Sequence, residues 1–240
     1  ASFLRNPVKE FFRHRLQVTF RDLDAAAGDE EAFASAGLSR WALLDDVLRA
    51  TRALADAGAE GGAPAPSAVA GVIERELARL HRAGRLPLAE PGRHVQEALA
   101  RTLQPMGVRW QAAQAAHAQV RGKQPLRFVH PDDPGLVLDD VLPGLRGGEG
   151  ARPVWIDLQA SAVATAAKRG APALREDKLL VAWVRCLAAA ACGVPADGWV
   201  IGPGAAVRVT APDRSEAVAV LGDLLSACQA ALDSDTPLPT

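Results

Sequence analysis

Two pairs of side chains in this sequence have the types and spacing for phosphodiester chemistry. Asp139 and Asp140 end one predicted strand, and the next, Val154-Trp155-Ile156-Asp157-Leu158-Gln159, carries Asp157 and Gln159 two residues apart. Two residues apart on a strand means one shared face. A metal-dependent site for cutting DNA is commonly built as an acid, a stretch of hairpin, then an acid and a lysine at that same spacing. The acids would hold Mg²⁺, which stabilises charge on the transferring phosphoryl group and activates water. The lysine would add a positive charge beside it. Here Gln159 stands where the lysine belongs, and an amide carries no charge. The expectation is a nuclease-shaped site without its full cutting machinery: Asp139, Asp140, Asp157 and Gln159 as vestigial positions, no catalytic residue and no cofactor, with a residual weak Mg²⁺ site the most these acids would hold. Solvated carboxylates at strand ends are the plainer reading, since short motifs recur by chance.

Arg5, Lys9, Arg13 and Arg15 are the candidates for contact with DNA. Their spacing lines one helical face, from which cations could meet phosphates. A solvated surface opposite Phe11, Phe12 and Leu16 explains the same spacing. The five histidines (His14, His81, His94, His117 and His130) are scattered, and none has a His or Cys four residues away, so metal binding by them is not expected. No G-x-S-x-G and no Walker-type glycine-lysine loop occurs, which disfavours a serine hydrolase or an ATPase motor. The glycines at 144, 147, 148 and 150 suit a turn better than a phosphate cradle, because no helix start follows them.

Composition sets the frame. The 240 residues are 49% hydrophobic and 23% charged, enough for one sizeable core or two small ones and unlike a disordered chain. The net charge of −1 advertises no nucleic-acid partner globally. Locally, a basic stretch over residues 1–21 is followed by Asp22, Asp24, Asp29, Glu30 and Glu31. Cys186, Cys192 and Cys228 lie in apolar helical patterns without a C-x-x-C pair, which suits buried free thiols in a reducing cytoplasm. No apolar run of ~18 residues appears, so no membrane span is expected. The chain opens on Ala1-Ser2-Phe3-Leu4 without an initiator Met, as a portion of a longer polypeptide would.

The elements that must position these residues follow from periodicity. Helix-spaced apolar stripes run through Leu4 to Leu16 and Trp41 to Leu54. The next runs from a predicted N-cap at Ser67 through Leu80 to a stop at Gly84. A further stripe at Val95, Leu99 and Leu103 is predicted to break at Pro105 and resume from Trp110 to Val120. The period then changes to two: strands are predicted over 126–130, 136–142 and 154–159, the last two joined by the glycine-rich turn. A helix from Leu179 to Ala191 ends at Gly193 and Pro195. Gly202-Pro203-Gly204 marks a hairpin. Asp213 and Glu216 have the spacing of a capping box for the last helix. Trp183 and Trp199 are expected in the core, with Trp41 equally able to fill a pocket or anchor a partner. The order predicts α+β or mixed α/β: one domain over 1–240, mainly helical over 1–122 and α/β over 123–240, with helices flanking a central sheet.

Several blocks resemble one family. Phe3-Leu4-Arg5-Asn6-Pro7-Val8-Lys9-Glu10-Phe11-Phe12-Arg13-His14-Arg15-Leu16 is similar to the "F-x-x-H-P-V-x-x-F-F-x-x-R-L" opening of the C-terminal region of the exodeoxyribonuclease V gamma subunit family (RecC of the RecBCD helicase–nuclease), with Asn6 where His is usual. Glu30-Glu31-Ala32-Phe33, Gly37-Leu38-Ser39-Arg40-Trp41 and Arg82-Ala83-Gly84-Arg85-Leu86-Pro87 follow in that family's order, as do Leu180 to Ala188 and Thr236-Pro237-Leu238-Pro239. The stretch from Gly122 to Arg175 fits poorly. The resemblance implies a degenerate restriction-endonuclease-like sheet of the PD-(D/E)XK type that has lost nuclease activity. It also implies a cytoplasmic complex, an ATP-dependent exodeoxyribonuclease of DNA repair and recombination, in which the beta subunit cuts. This chain would be a scaffold that docks on the alpha and beta subunits and helps split and thread DNA, without reading Chi. Two other classes stay open: a live Mg²⁺-dependent nuclease, in which Lys168 or Lys178 reaches the space beside Gln159, and a generic protein-interaction domain.

Overall fold

The computed structural model describes residues 37–57, 65–148, 150–165 and 172–233, with the single positions 13 and 17. The chain is a mixed α+β protein with five helices and two small sheets among the described residues. Among the described residues three long helices come first: α1 (Gly37–Ala57), α2 (Pro66–Arg82) and α3 (Ala89–Ala116). Each buries one stripe at helical spacing. Leu43, Leu44, Val47 and Leu48 come from α1, Val69, Ile73, Leu77 and Leu80 from α2, and Leu99, Leu103, Met106 and Trp110 from α3. Gly107 lets α2 and α3 approach closely, since a Cβ there would meet Val69 Cγ1 at 3.0 Å.

Two expectations fail in this layer. Ser67 does not cap α2. The N-cap is Ala65, extended at φ −61° and ψ 146° with no side-chain cap, and Pro66 takes the first turn. Proline fits there because its fixed φ is already helical and its missing N–H would have had no partner. Pro105 does not break α3, which runs unbroken from Ala89 to Ala116. An interior proline costs about 3 kcal/mol. The buried Leu99, Leu103, Met106 and Trp110 flank it on both sides, and each contributes roughly 1.5–3 kcal/mol by leaving water. Packing outweighs propensity. The stop at Gly84 holds, with φ +65°.

The strands divide differently from the expected three-stranded start. β1 (Gln124–Val129) and β2 (Val137–Leu142) form an antiparallel hairpin of their own, with Arg127 opposite Asp139. β3 (Val154–Leu158) belongs to a second sheet, parallel to β4 (Asp197–Gly202), which pairs antiparallel with β5 (Ala205–Val209). The helix α4 (Glu176–Ala191) is the crossover between the parallel strands, and α5 (Arg214–Asp233) closes the fold. The glycine-rich turn separates the sheets by taking up hydrogen bonds itself. Arg146 exchanges backbone bonds with Val154, donating at 2.7 Å and accepting at 2.8 Å. Arg121 donates to the Gly147 carbonyl at 2.8 Å.

Side-chain alternation splits the two sides of the β3–β5 sheet. Ile156, Leu158 and Ile201 join the core of α1–α3. Trp155 and Val200 join the opposite core, with β1–β2, α4 and α5. Gly198 is required by this packing, because a Cβ there would lie 2.2 Å from Trp155 Cζ2. Trp183 is a correction: it is 36% exposed, since α4 turns Leu179, Ala182 and Cys186 inward instead. Trp199 is half-buried, and the buried tryptophans are Trp110 and Trp155. The Asp213 cap stands, its Oδ1 accepting from Glu216 N at 2.9 Å. Of the described helices α5 alone is long and apolar enough to cross a membrane by length and composition. In this fold Ala217 and Leu221 of that helix pack into the core beside α4.

Candidate functional site

In α/β arrangements, ligand clefts form beyond the C-terminal ends of parallel strands, where the chain leaves the sheet. Such a cleft, about 910 Å³ in volume, lies at the end of β3. Its walls are α1 (Trp41, Asp45, Arg52), the chain from Asp157 to Ser161, and the first turns of α4 (Asp177, Lys178, Val181, Arg185). Asp157 and Gln159 both line it, as their two-residue spacing requires. Gln159 lies just past β3 but prolongs the sheet, its N–H donating to the Ile201 carbonyl at 2.9 Å.

The position beside Asp157 is held by a residue the sequence did not single out. Arg52 Nη1 donates to the Leu158 carbonyl at 2.6 Å and lies 3.6 Å from Asp157 Oδ1. Its Nη2 is 3.4 Å from Asp45 Oδ1, and Arg49 binds the other oxygen of Asp45 at 2.8 Å. Burial raises the affinity of Asp157 for its proton, and the charges of Arg52 and Arg185 act against that rise. Lys178 is turned to Asp177 at 3.0 Å, a contact that holds the Asp177 carboxyl below its ordinary range. Gln159 Nε2 donates to the Lys178 carbonyl at 3.3 Å. Trp41 Nε1 donates to Ser161 Oγ at 3.2 Å across the rim.

The other nominated acids are elsewhere. Asp139 and Asp140 lie within β2, not at its end. Asp139 is 3.8 Å from Arg127, both largely exposed, and Asp140 Oδ1 accepts from the N–H of Val141 at 2.7 Å. Neither lines the cleft of Asp157. Among the described residues no group of three or more His, Cys, Asp or Glu side chains converges as metal ligands would. The Arg52 guanidinium lies between the two acids of the cleft wall, 3.4 Å from Asp45 and 3.6 Å from Asp157. Of the basic candidates, Arg13 is helical and exposed, while Arg5, Lys9 and Arg15 lie outside the described residues, as does Lys168.

Two further groups have the residue types of catalysis without the geometry. His130 Nε2 is 3.0 Å from Ser226 Oγ. His130 Nδ1, however, accepts from the N–H groups of Asp132 and Asp133, each at 3.1 Å. The proton must therefore sit on Nε2, which donates to the serine and cannot act as its base. Cys186 is buried, and that burial with the Asp197 charge pushes its thiol up to about 11, leaving no thiolate for chemistry. Asp197 has a structural role. Its carboxylate accepts from Ala211 N at 2.9 Å and Arg208 Nη2 at 2.7 Å, with Arg152 at 3.4 Å, fastening β4 to the segments around it.

Comparison with known proteins agrees with the sequence blocks. Residues 1–240 match the family model described as RecC C-terminal domain. A curated relative, the RecBCD enzyme subunit RecC of Haemophilus influenzae, is 45% identical over 48 residues, which make up 20% of this chain and 4% of that protein. The match therefore spans a small part of that relative's length. With the family model covering every residue of the sequence, the chain belongs to the RecC C-terminal domain family.

Proposed function

We propose that this chain is a non-catalytic scaffold of a RecBCD-type helicase–nuclease, shaped like a restriction-endonuclease-type domain but filled in where such a domain would bind metal. In the cytoplasm it would dock on the alpha and beta subunits and help hold the framework that splits and threads DNA during double-strand-break repair. One observation carries this reading: the Arg52 guanidinium lies between Asp45 and Asp157 and donates to the Leu158 carbonyl. A divalent cation needs several oxygen ligands at 2.0–2.6 Å and charge that nothing else neutralises. Here the oxygens already face a fixed organic cation, and Gln159 supplies no ammonium in compensation.

The live-nuclease alternative needs a lysine beside Asp157. Lys178 lines the same cleft but is committed to Asp177. A scaffold needs none of this chemistry, only surface and rigidity, and the two cores on either side of the β3–β5 sheet support both.

Co-purification with each partner subunit, with and without forked DNA, tests the proposal. Stable association with at least one subunit is expected. A protein that binds neither subunit under conditions where the other two associate would remove the scaffold reading.

A further inference from the structure

The cleft beside β3 contains three carboxylates (Asp45, Asp157, Asp177) and three cations (Arg52, Lys178, Arg185). Two of the cations are committed: Arg52 to Asp45 and Asp157, and Lys178 to Asp177. Arg185 is different. Its guanidinium lies 4.8 Å from the centre of the Trp155 ring; its charge reaches Asp157, but among the described residues it closes no ion pair and makes no hydrogen bond. This cation–π contact holds the guanidinium over the ring and uses none of its N–H donors. A guanidinium with its donors free can take a carboxylate through two parallel bonds. At the rim Trp41 is 42% exposed, its ring held in place by the bond to Ser161.

We propose that this cleft receives a segment of a partner subunit and that the segment presents one carboxylate, from an Asp, a Glu or a chain end, to Arg185. The proposal rests on the scaffold reading above. Charge decides the class of occupant. The three carboxylates balance the three cations of the cleft, and Arg185 alone closes no ion pair, so a nucleic-acid strand would bring one negative charge per nucleotide with one cation to receive them. A peptide needs only one carboxylate and uses the apolar part of the wall, Val181 and the Trp41 ring, for its neighbours. The volume of about 910 Å³ is that of a site for several residues rather than one side chain.

The test uses the protein assembled with its partner subunits and carrying a photo-reactive residue in place of Leu180, which lines the cleft and has no ion pair to lose. Cross-links are expected to one partner-subunit segment containing an acidic residue. Arg185→Met keeps a side chain to pack on Trp155 and removes the charge. It is expected to weaken assembly by about 30-fold or more, the loss typical of truncating one member of a buried charge pair. Neutralising the cross-linked acid should cost the same, and both changes together no more than either. Arg185→Lys, which keeps the charge but not the fork, should retain part of the affinity. Assembly of Arg185→Met at wild-type strength, or cross-links to DNA in place of protein, would overturn the inference while leaving the scaffold reading standing. Failure of the unaltered protein to assemble with any partner would instead remove the scaffold reading, and this inference with it.

Discussion

Arg52 reaches from α1 to the end of β3 and places its guanidinium 3.6 Å from the carboxylate of Asp157. The two side chains are 35% and 39% exposed, so water screens the pair and its direct contribution is about 1 kcal/mol at most. Its significance is positional. The same guanidinium binds the Leu158 carbonyl and Asp45, so the strand end, the helix and both acids are fixed around one cation.

Removing that cation should show the coupling. Arg52→Met is expected to lower stability by about 1–2 kcal/mol, the sum of one charge-assisted hydrogen bond and one screened pair. Combined with Asp157→Asn, the loss should be less than additive in urea unfolding. Strict additivity would mean that the two side chains do not interact in solution.

Asp197 and Asp157 should give opposite dependences on pH. Burial alone would raise the Asp197 pKa, but the N–H of Ala211 and the guanidinium of Arg208 outweigh it and the carboxyl titrates below its ordinary value. Its stabilisation is present above the unfolded pKa and is lost as pH falls through the folded one. The Asp157 carboxyl is raised by burial. Its contribution is full below the unfolded pKa and is lost as pH rises through the folded one. Asp197→Asn is therefore expected to cost about 3–5 kcal/mol at neutral pH, as for a broken buried ion pair, and less in acid. Asp157→Asn should remove a penalty that is present at neutral pH and absent in acid. Denaturant titrations at several pH values check both signs, and parallel curves for the two variants would contradict them.

Gly198→Ala should disrupt the sheet at its centre. The added Cβ would lie 2.2 Å from the Trp155 ring, which is buried and cannot swing clear. Overpacking of this kind costs about 1–3 kcal/mol, and more where the neighbour is rigid. Thermal unfolding and tryptophan fluorescence should both report the change. A variant of native stability would mean that Trp155 does not lie over β4.

Pro105→Ala should stabilise the protein. Position 105 is exposed within an unbroken helix, so alanine restores a backbone donor and creates no cavity. A gain of about 1–3 kcal/mol is expected from the difference in helix propensity. A loss in chemical denaturation would indicate that α3 is interrupted there after all.

Local features were legible in the sequence where local physics decides. The shared face of Asp157 and Gln159 follows from strand alternation, the Asp213 cap from its spacing to Glu216, and the end of α2 from Gly84. Pro105 misled because its penalty is local while the burial that overcomes it comes from another helix. The separation of β1–β2 from β3 was hidden in backbone bonds made by Arg146 inside a turn that composition marks only as glycine-rich. Arg52 was invisible for a similar reason. Its partner Leu158 lies 106 positions away, and only the docking of α1 on the sheet brings them together. A missing lysine beside Asp157 can be read from sequence, but an arginine arriving from another element cannot.

The most direct measurement of the central claim is nucleotide release from linear duplex and single-stranded DNA by the purified protein with Mg²⁺ or Mn²⁺. With Arg52 between Asp45 and Asp157, no release above background is expected, and Asp157→Ala should leave that result unchanged. Appreciable cleavage that disappears in Asp157→Ala would show that the cleft performs hydrolysis and would contradict the account.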